Sequence, residues 1–168
     1  DLLEETYFNI INMKTATLFA AATKVGACIG EKSKKEKDAL ESYGKNLGMA
    51  FQIADDALDY FSTKTIFGKE IGKDFYEGKT TLPLIIIFQK ANSEEKKFLI
   101  EIFKKKKRNE DDFSETLALI NKYKAVQVSF KRAEYFVNVS YDALGIFEDS
   151  HEKTILQNLT GFSLNRSF

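Results

Sequence analysis

Phe51-Gln52-Ile53-Ala54-Asp55-Asp56-Ala57-Leu58-Asp59-Tyr60 sets three carboxylates into a segment whose other positions are almost all apolar. In a helix, Asp55 and Asp59 stand four residues apart on one face, with Asp56 turned about 100° away. Like charges at that spacing repel by about a few tenths of a kcal/mol when exposed, and by more as water is withdrawn. A divalent cation removes the conflict. Hard oxygen donors suit magnesium, which takes few carboxylates directly and completes its octahedron with water and substrate phosphate. A solvated acidic helix face is the plainer alternative, but Phe51, Ile53, Leu58, Tyr60 and Phe61 leave no broad polar face for it.

Around this stretch lies a chain of 168 residues, the size of one domain or part of one, long enough to bury roughly 70% of the surface its unfolded state exposes. With 25 basic and 25 acidic side chains the net charge is zero, so no general attraction to nucleic acid or to an anionic membrane follows. The single cysteine, Cys28, cannot form an internal disulfide; its small apolar neighbours suggest a buried free thiol in a reducing compartment, and a cytoplasmic location is expected. The longest apolar run, Leu82 to Phe88, falls far short of the roughly 18 residues of a spanning helix. Asp1-Leu2-Leu3-Glu4-Glu5 lacks an initiator Met and enters helical periodicity at once, as though numbering began partway through a domain.

One proline, nine glycines and the lack of long apolar alternation predict an all-α chain. Leu3 to Gly30 reads as one helix, or two joined near Met13-Lys14, with small residues at Leu18-Phe19-Ala20-Ala21-Ala22 suited to close packing. Ser33 can cap a long helix that runs through the aspartates. From Ser62 to Thr80 the pattern breaks into a loop of about 20 residues, a length uncommon in compact domains unless it has a function. Thr81 is placed to cap a short apolar helix with Pro83 in its first turn, and Ser93-Glu94-Glu95 opens the next helix. The run Lys104-Lys105-Lys106-Lys107-Arg108 reads as a solvated helix end, since Asn109-Glu110-Asp111-Asp112 follows directly. Further helices are expected near 112–123, 125–148 and 151–167.

Lys14 precedes the aspartates, and Lys69, Lys73 and Lys79 follow them in the long loop. Carboxylates holding magnesium, with ammonium groups meeting phosphate oxygens, make a site for a diphosphate. Most lysines are merely solvated charges. Lys14, however, interrupts an apolar segment, and Lys69 and Lys79 each follow a glycine, which lets backbone approach a ligand closely.

Four motifs now carry a resemblance: Lys14-Thr15-Ala16, the stretch Phe51 to Asp59, Gly68-Lys69-Glu70-Ile71-Gly72-Lys73-Asp74, and Glu77-Gly78-Lys79-Thr80-Thr81-Leu82-Pro83. In order and spacing they resemble the C-terminal half of trans-type polyprenyl diphosphate synthases, with Asp55-Asp56-Ala57-Leu58-Asp59 matching that family's second aspartate-rich motif. The Gly-Lys-Thr-Thr-Leu-Pro run looks most like the long-chain octaprenyl and decaprenyl synthases that make quinone side chains. The resemblance implies a helical bundle of the isoprenoid synthase type, of which residues 1–168 are the C-terminal portion of a single domain. It implies condensation of isopentenyl diphosphate with an allylic diphosphate, with Mg2+ as cofactor and a homodimer as the usual assembly. By matching position, Asp55 and Asp59 would hold magnesium, Asp56 would support them, and Asp74 would act through water or a neighbouring group. Lys14, Lys69 and Lys79 would contact diphosphate, with Lys14, Lys69 and Asp55 carrying the catalytic step, while Thr15 and Gln52 would lie along the allylic substrate.

Two family features are missing from the sequence. The first aspartate-rich motif is not found in residues 1–54, and the arginine-rich isopentenyl diphosphate site is absent, since the arginines are Arg108, Arg132 and Arg166. The expectation is a C-terminal portion inactive by itself, with apolar faces that make it aggregate, pair or depend on a partner. A non-catalytic helical subunit of a complete synthase is the main alternative. A class I terpene cyclase ranks lower, because its second metal motif usually mixes Asn, Ser and Glu. A ferritin-like di-metal bundle would need Glu-x-x-His pairs, and the sole histidine, His151, has no such partner and reads as a surface residue.

Overall fold

The computed structural model describes residues 3–61 and 71–162, so Lys69, with the rest of 62–70, lies outside the described residues. All regular structure among them is helical, as the composition predicts. The order is α1 (Glu4–Ile11), a π-helical turn (Asn12–Ala16), α2 (Thr17–Ile29), α3 (Lys34–Leu58), α4 (Lys73–Tyr76), α5 (Leu82–Lys90), α6 (Ser93–Lys104), α7 (Glu110–Lys122), α8 (Ala125–Ala143), a 3-10 turn (Leu144–Ile146) and α9 (His151–Phe162). Contacts group the chain into two compact units, Asp1–Tyr7 with Asp55–Ser129 and Phe8–Ala54 with Phe130–Phe168.

In the second of these units α2 and α3 approach closely because α3 carries Gly44 and Gly48. A Cβ on Gly44 would lie 2.5 Å from the Phe19 carbonyl oxygen, and one on Gly48 would lie 2.7 Å from the Ala16 Cα. Backbone on both sides leaves no room for a methyl group. Thr23 sits at the same seam and donates its hydroxyl to the Leu40 carbonyl at 2.5 Å. Tyr43, buried on α3, donates to the Leu156 carbonyl of α9 at 2.9 Å, and Ser140 of α8 donates to the Tyr43 carbonyl at 2.9 Å. Burial pushes the Tyr43 phenol up to about 12. Three helices are thereby tied through one tyrosine.

The outer face of α2 remains open. Leu18 is 71% exposed and Ile29 78%, with Val25 between them, so apolar side chains recur at helical spacing on an uncovered stripe. Ala21 and Ala22 are exposed on it too, so only Ala20 of that small-residue run is buried. Cys28 is exposed rather than buried. Of its neighbours, Ala27 is buried while Val25 and Ile29 are exposed, so proximity in sequence does not cover the thiol.

In the first unit α5 is apolar on every side and correspondingly buried, from Leu82 through Ile87. Thr81 has the extended backbone of a cap, but its hydroxyl makes no capping bond; it is buried beside the Tyr60 hydroxyl, with no hydrogen bond of good geometry among the described residues. The caps of the next two helices are asparagines. α6 begins at Ser93, as expected; Asn92 before it and Glu95 form a reciprocal capping box, and Asn109 and Asp112 form another on α7. Both oxygens of Glu95 are further engaged, by Lys122 Nζ and by the Tyr123 hydroxyl, each at 2.6 Å.

Part of the expected long loop is ordered into α4, held by an aromatic cluster. Phe75 is fully buried, with ring centroids of Phe103 at 5.7 Å and Phe113 at 5.4 Å. Gly72, at φ +76°, turns the chain into α4 where a Cβ would lie 2.5 Å from the Phe113 ring. α6 ends at Lys104, as its basic run suggests, and His151 is exposed at the first residue of α9.

Candidate functional site

α3 places Asp55 and Asp56 in its last turn and ends at Leu58. Asp59 therefore lies just beyond the helix rather than on one helical face with Asp55, in a tightened turn where the N–H groups of Tyr60 and Phe61 bond to the carbonyls of Ala57 and Leu58. The cause is local. The Asp59 carbonyl accepts from Gly72 N–H at 3.0 Å, and its carboxylate accepts from Lys73 N–H at 3.1 Å and Asp74 N–H at 2.9 Å. Three consecutive amides converge on one residue, so Asp59 clasps the start of α4 and thereby sets Asp74.

Asp56 is buried and accepts a hydrogen bond from the Tyr7 hydroxyl at 2.7 Å. Burial first, and after it the charge of Asp56, pushes the Tyr7 phenol far above its ordinary value; Asp74 and Asp55 act in the same direction. Tyr7 thus remains a proton donor, and its hydroxyl marks a point on which three of the expected acids converge. Sequence reasoning missed it, since no spacing rule links a tyrosine to an acid 49 residues away.

Asp74 accepts from Lys79 Nζ at 2.9 Å, and the same ammonium meets Glu77 at 2.6 Å. The two acids, Glu77 before Asp74, raise the Lys79 ammonium above its ordinary value and hold it cationic. Lys73, exposed, lies 3.9 Å from Glu77.

Lys14, Thr15 and Gln52 fall in the other unit. Lys14 and Thr15 sit in the π-helical turn, a rare geometry that often accompanies functional positions, and Lys14 is exposed. The Thr15 hydroxyl donates to Gln52 Oε1 at 2.8 Å, joining two of the expected substrate-lining residues directly.

Among the described residues no three His, Cys, Asp or Glu side chains are gathered as a metal cage. The donor chemistry still fits magnesium, which needs only one or two carboxylates when phosphate and water supply the rest. Asp55, half-exposed at the end of α3, is suitably placed to supply one. Asp56 and Asp59 hold protein through the bonds described above.

The chain is similar to known proteins over nearly its whole length. A short-chain isoprenyl diphosphate synthase from Methanothermobacter thermautotrophicus is 36% identical over 99% of this chain and 50% of its own length. An octaprenyl diphosphate synthase from Haemophilus influenzae is 32% identical over 98% of the chain and 50% of its own length. A polyprenyl synthase from Caulobacter crescentus, whose crystal structure holds calcium and isoprenyl diphosphate, superimposes with a TM-score of 0.93 at 35% identity, covering 100% of this chain and 52% of that one. The chain thus spans about half the length of the curated relatives it matches. Because residues 1–120 also match the sequence profile of the family described as Polyprenyl synthetase, the chain belongs to that family.

Proposed function

We propose that this chain supplies the second-aspartate half of a prenyltransferase site that condenses isopentenyl diphosphate with an allylic diphosphate, forming a long-chain polyprenyl diphosphate of the kind used for quinone side chains. The observation that carries this reading is the junction of α3 with α4, where Asp55, Asp56, Asp74 and Lys79 are assembled around the Tyr7 and Asp59 clasps. Magnesium, when bound, would draw off charge from the departing diphosphate. Asp55 would hold the ion, with Asp74 and Asp59 beside it and Asp56 as the buried support. Lys79, released from Asp74 and Glu77, would meet diphosphate oxygens; Lys14 and Lys69 would meet the remainder. Thr15 and Gln52 would lie along the allylic group. Calcium and isoprenyl diphosphate in the Caulobacter protein support a divalent ion and this substrate class.

Chain length is the finer part of the reading. It rests on Gly78-Lys79-Thr80-Thr81-Leu82-Pro83 and on the octaprenyl relative, against the short-chain relative of similar identity. No helix among the described residues is long and apolar enough to cross a membrane, and a cytoplasmic enzyme is proposed. The open stripe on α2 supports pairing with a second copy or with a chain carrying the first aspartate motif.

Calorimetric titration with inorganic diphosphate, with and without magnesium, tests the site. Magnesium-dependent binding that is lost in Asp55→Asn is expected, while binding indifferent to both metal and Asp55 would refute the assignment. Turnover of isopentenyl and geranyl diphosphates by this chain alone would refute the half-site reading.

A further inference from the structure

The basic run after α6 is exposed through Lys107, but its last residue is packed. Arg108 turns back so that Cζ lies 4.7 Å from the Phe103 ring centroid and 5.8 Å from that of Phe75. Its Nη2 donates to the Phe103 carbonyl at 3.2 Å, and its Nε is buried with no hydrogen bond among the described residues. Gly78 also abuts the guanidinium: a Cβ there would lie 3.0 Å from Nη1 and 3.1 Å from Nη2. A guanidinium can sit in cation–π contact with rings while its nitrogens meet a carbonyl and the backbone, a combination that an ammonium does not reproduce.

Gly78 has φ +77°, a conformation that disfavours any side chain. The reversal it permits is closed by Gly78 N–H to the Phe75 carbonyl at 3.0 Å and by Lys79 N–H to the Asp74 carbonyl at 2.9 Å. This reversal is what returns the Lys79 ammonium to Asp74. Arg108, Gly78 and Lys79 therefore form one mechanical series, from aromatic cluster to backbone turn to cation.

We propose that Arg108 is a positioning residue for Lys79: set against the Phe103 and Phe75 rings and packed against Gly78, it holds the Glu77–Lys79 turn in the form that keeps the lysine beside Asp74, where a diphosphate would meet it. The inference rests on the proposed function, in which Lys79 meets that ligand. A preplaced ammonium loses less conformational freedom on binding, so Arg108 acts on affinity without touching the ligand.

The test is a double-mutant cycle on the 168-residue chain, read by calorimetric titration with inorganic diphosphate and magnesium. Arg108→Ala is expected to weaken binding roughly tenfold in the parent chain and less than twofold in Lys79→Ala, because the two act in one series (about 1 kcal/mol of coupling or more). Arg108→Lys keeps the stem and charge but not the plane; it is expected to weaken binding severalfold, and it carries the cycle if Arg108→Ala does not fold. A fully additive loss, or a lowered melting temperature with unchanged affinity, would overturn the positioning role. Unchanged affinity in Lys79→Ala would instead sink the assignment of Lys79, and no binding by the parent chain would remove both.

Discussion

Tyr7 and Asp56 are joined by a buried 2.7 Å hydrogen bond that links the first helix to the aspartate pair at the end of the third. A bond to a charged acceptor contributes about 1.5–3 kcal/mol, because its loss leaves a buried carboxylate poorly solvated. Tyr7→Phe keeps the ring and removes only the donor. It is expected to lower stability by about that amount in urea unfolding, with the slope unchanged. Asp56→Asn, which retains an acceptor for the phenol, is expected to cost less.

Asp59 is expected to act on α4 before it acts on any metal. Replacing it with alanine removes the acceptor for the Lys73 and Asp74 amides, so both should lose protection in hydrogen exchange in metal-free buffer. Unchanged protection at those two amides would return Asp59 to the role of a simple ligand.

Glu95 supplies a pH signature away from the site. Hydrogen bonds from Lys122 first, then Tyr123 and the Asn92 backbone, lower its carboxyl to about 2 from an ordinary 4.5. Between those values the unfolded chain binds the proton and the folded chain does not, so this stabilisation is complete above about 4.5 and is lost as pH falls toward 2. Glu95→Gln is expected to flatten the dependence of the urea midpoint on pH across that window. An identical profile in the variant would refute the link between α6 and the end of α7.

Gly48 allows α3 to meet α2 at backbone contact. Gly48→Ala places a methyl group 2.7 Å from the Ala16 Cα, which cannot swing aside. Overpacking of this kind costs about 1–3 kcal/mol, more than the roughly 0.5–1 kcal/mol that alanine gains over glycine inside a helix. A net drop in the urea midpoint is expected.

The stripe Leu18, Val25 and Ile29 is expected to drive self-association of the chain. Sedimentation should show concentration-dependent species above the monomer, reduced by Val25→Glu with Ile29→Lys. A parent chain that sediments as a monomer at every concentration would show that the stripe tolerates water.

Helix type and order were readable from sequence because they follow from short-range rules. The apolar spacing through α3, Pro83 at the start of the all-apolar α5, and the acids that open α6 and α7 all act within a turn or two. The start of α6 at Ser93 was readable in the same way, and the Asn92 cap sits one residue ahead of it. Cys28 was misread because apolar neighbours on one helix do not reveal whether another element covers that face.

The sequence by itself determined that three acids, several lysines and their spacing belong to a polyprenyl synthetase, since covalent order preserves motif spacing whatever the fold. Only the tertiary structure decided what each acid is committed to. Asp56 is taken by a tyrosine 49 residues away, and Asp59 by the amides of residues 73 and 74. Arg108, the end of an apparently solvated basic run, is drawn into the aromatic cluster behind Gly78. Each of these is a long-range choice among partners, made by packing and desolvation, and none leaves a periodic trace in the chain.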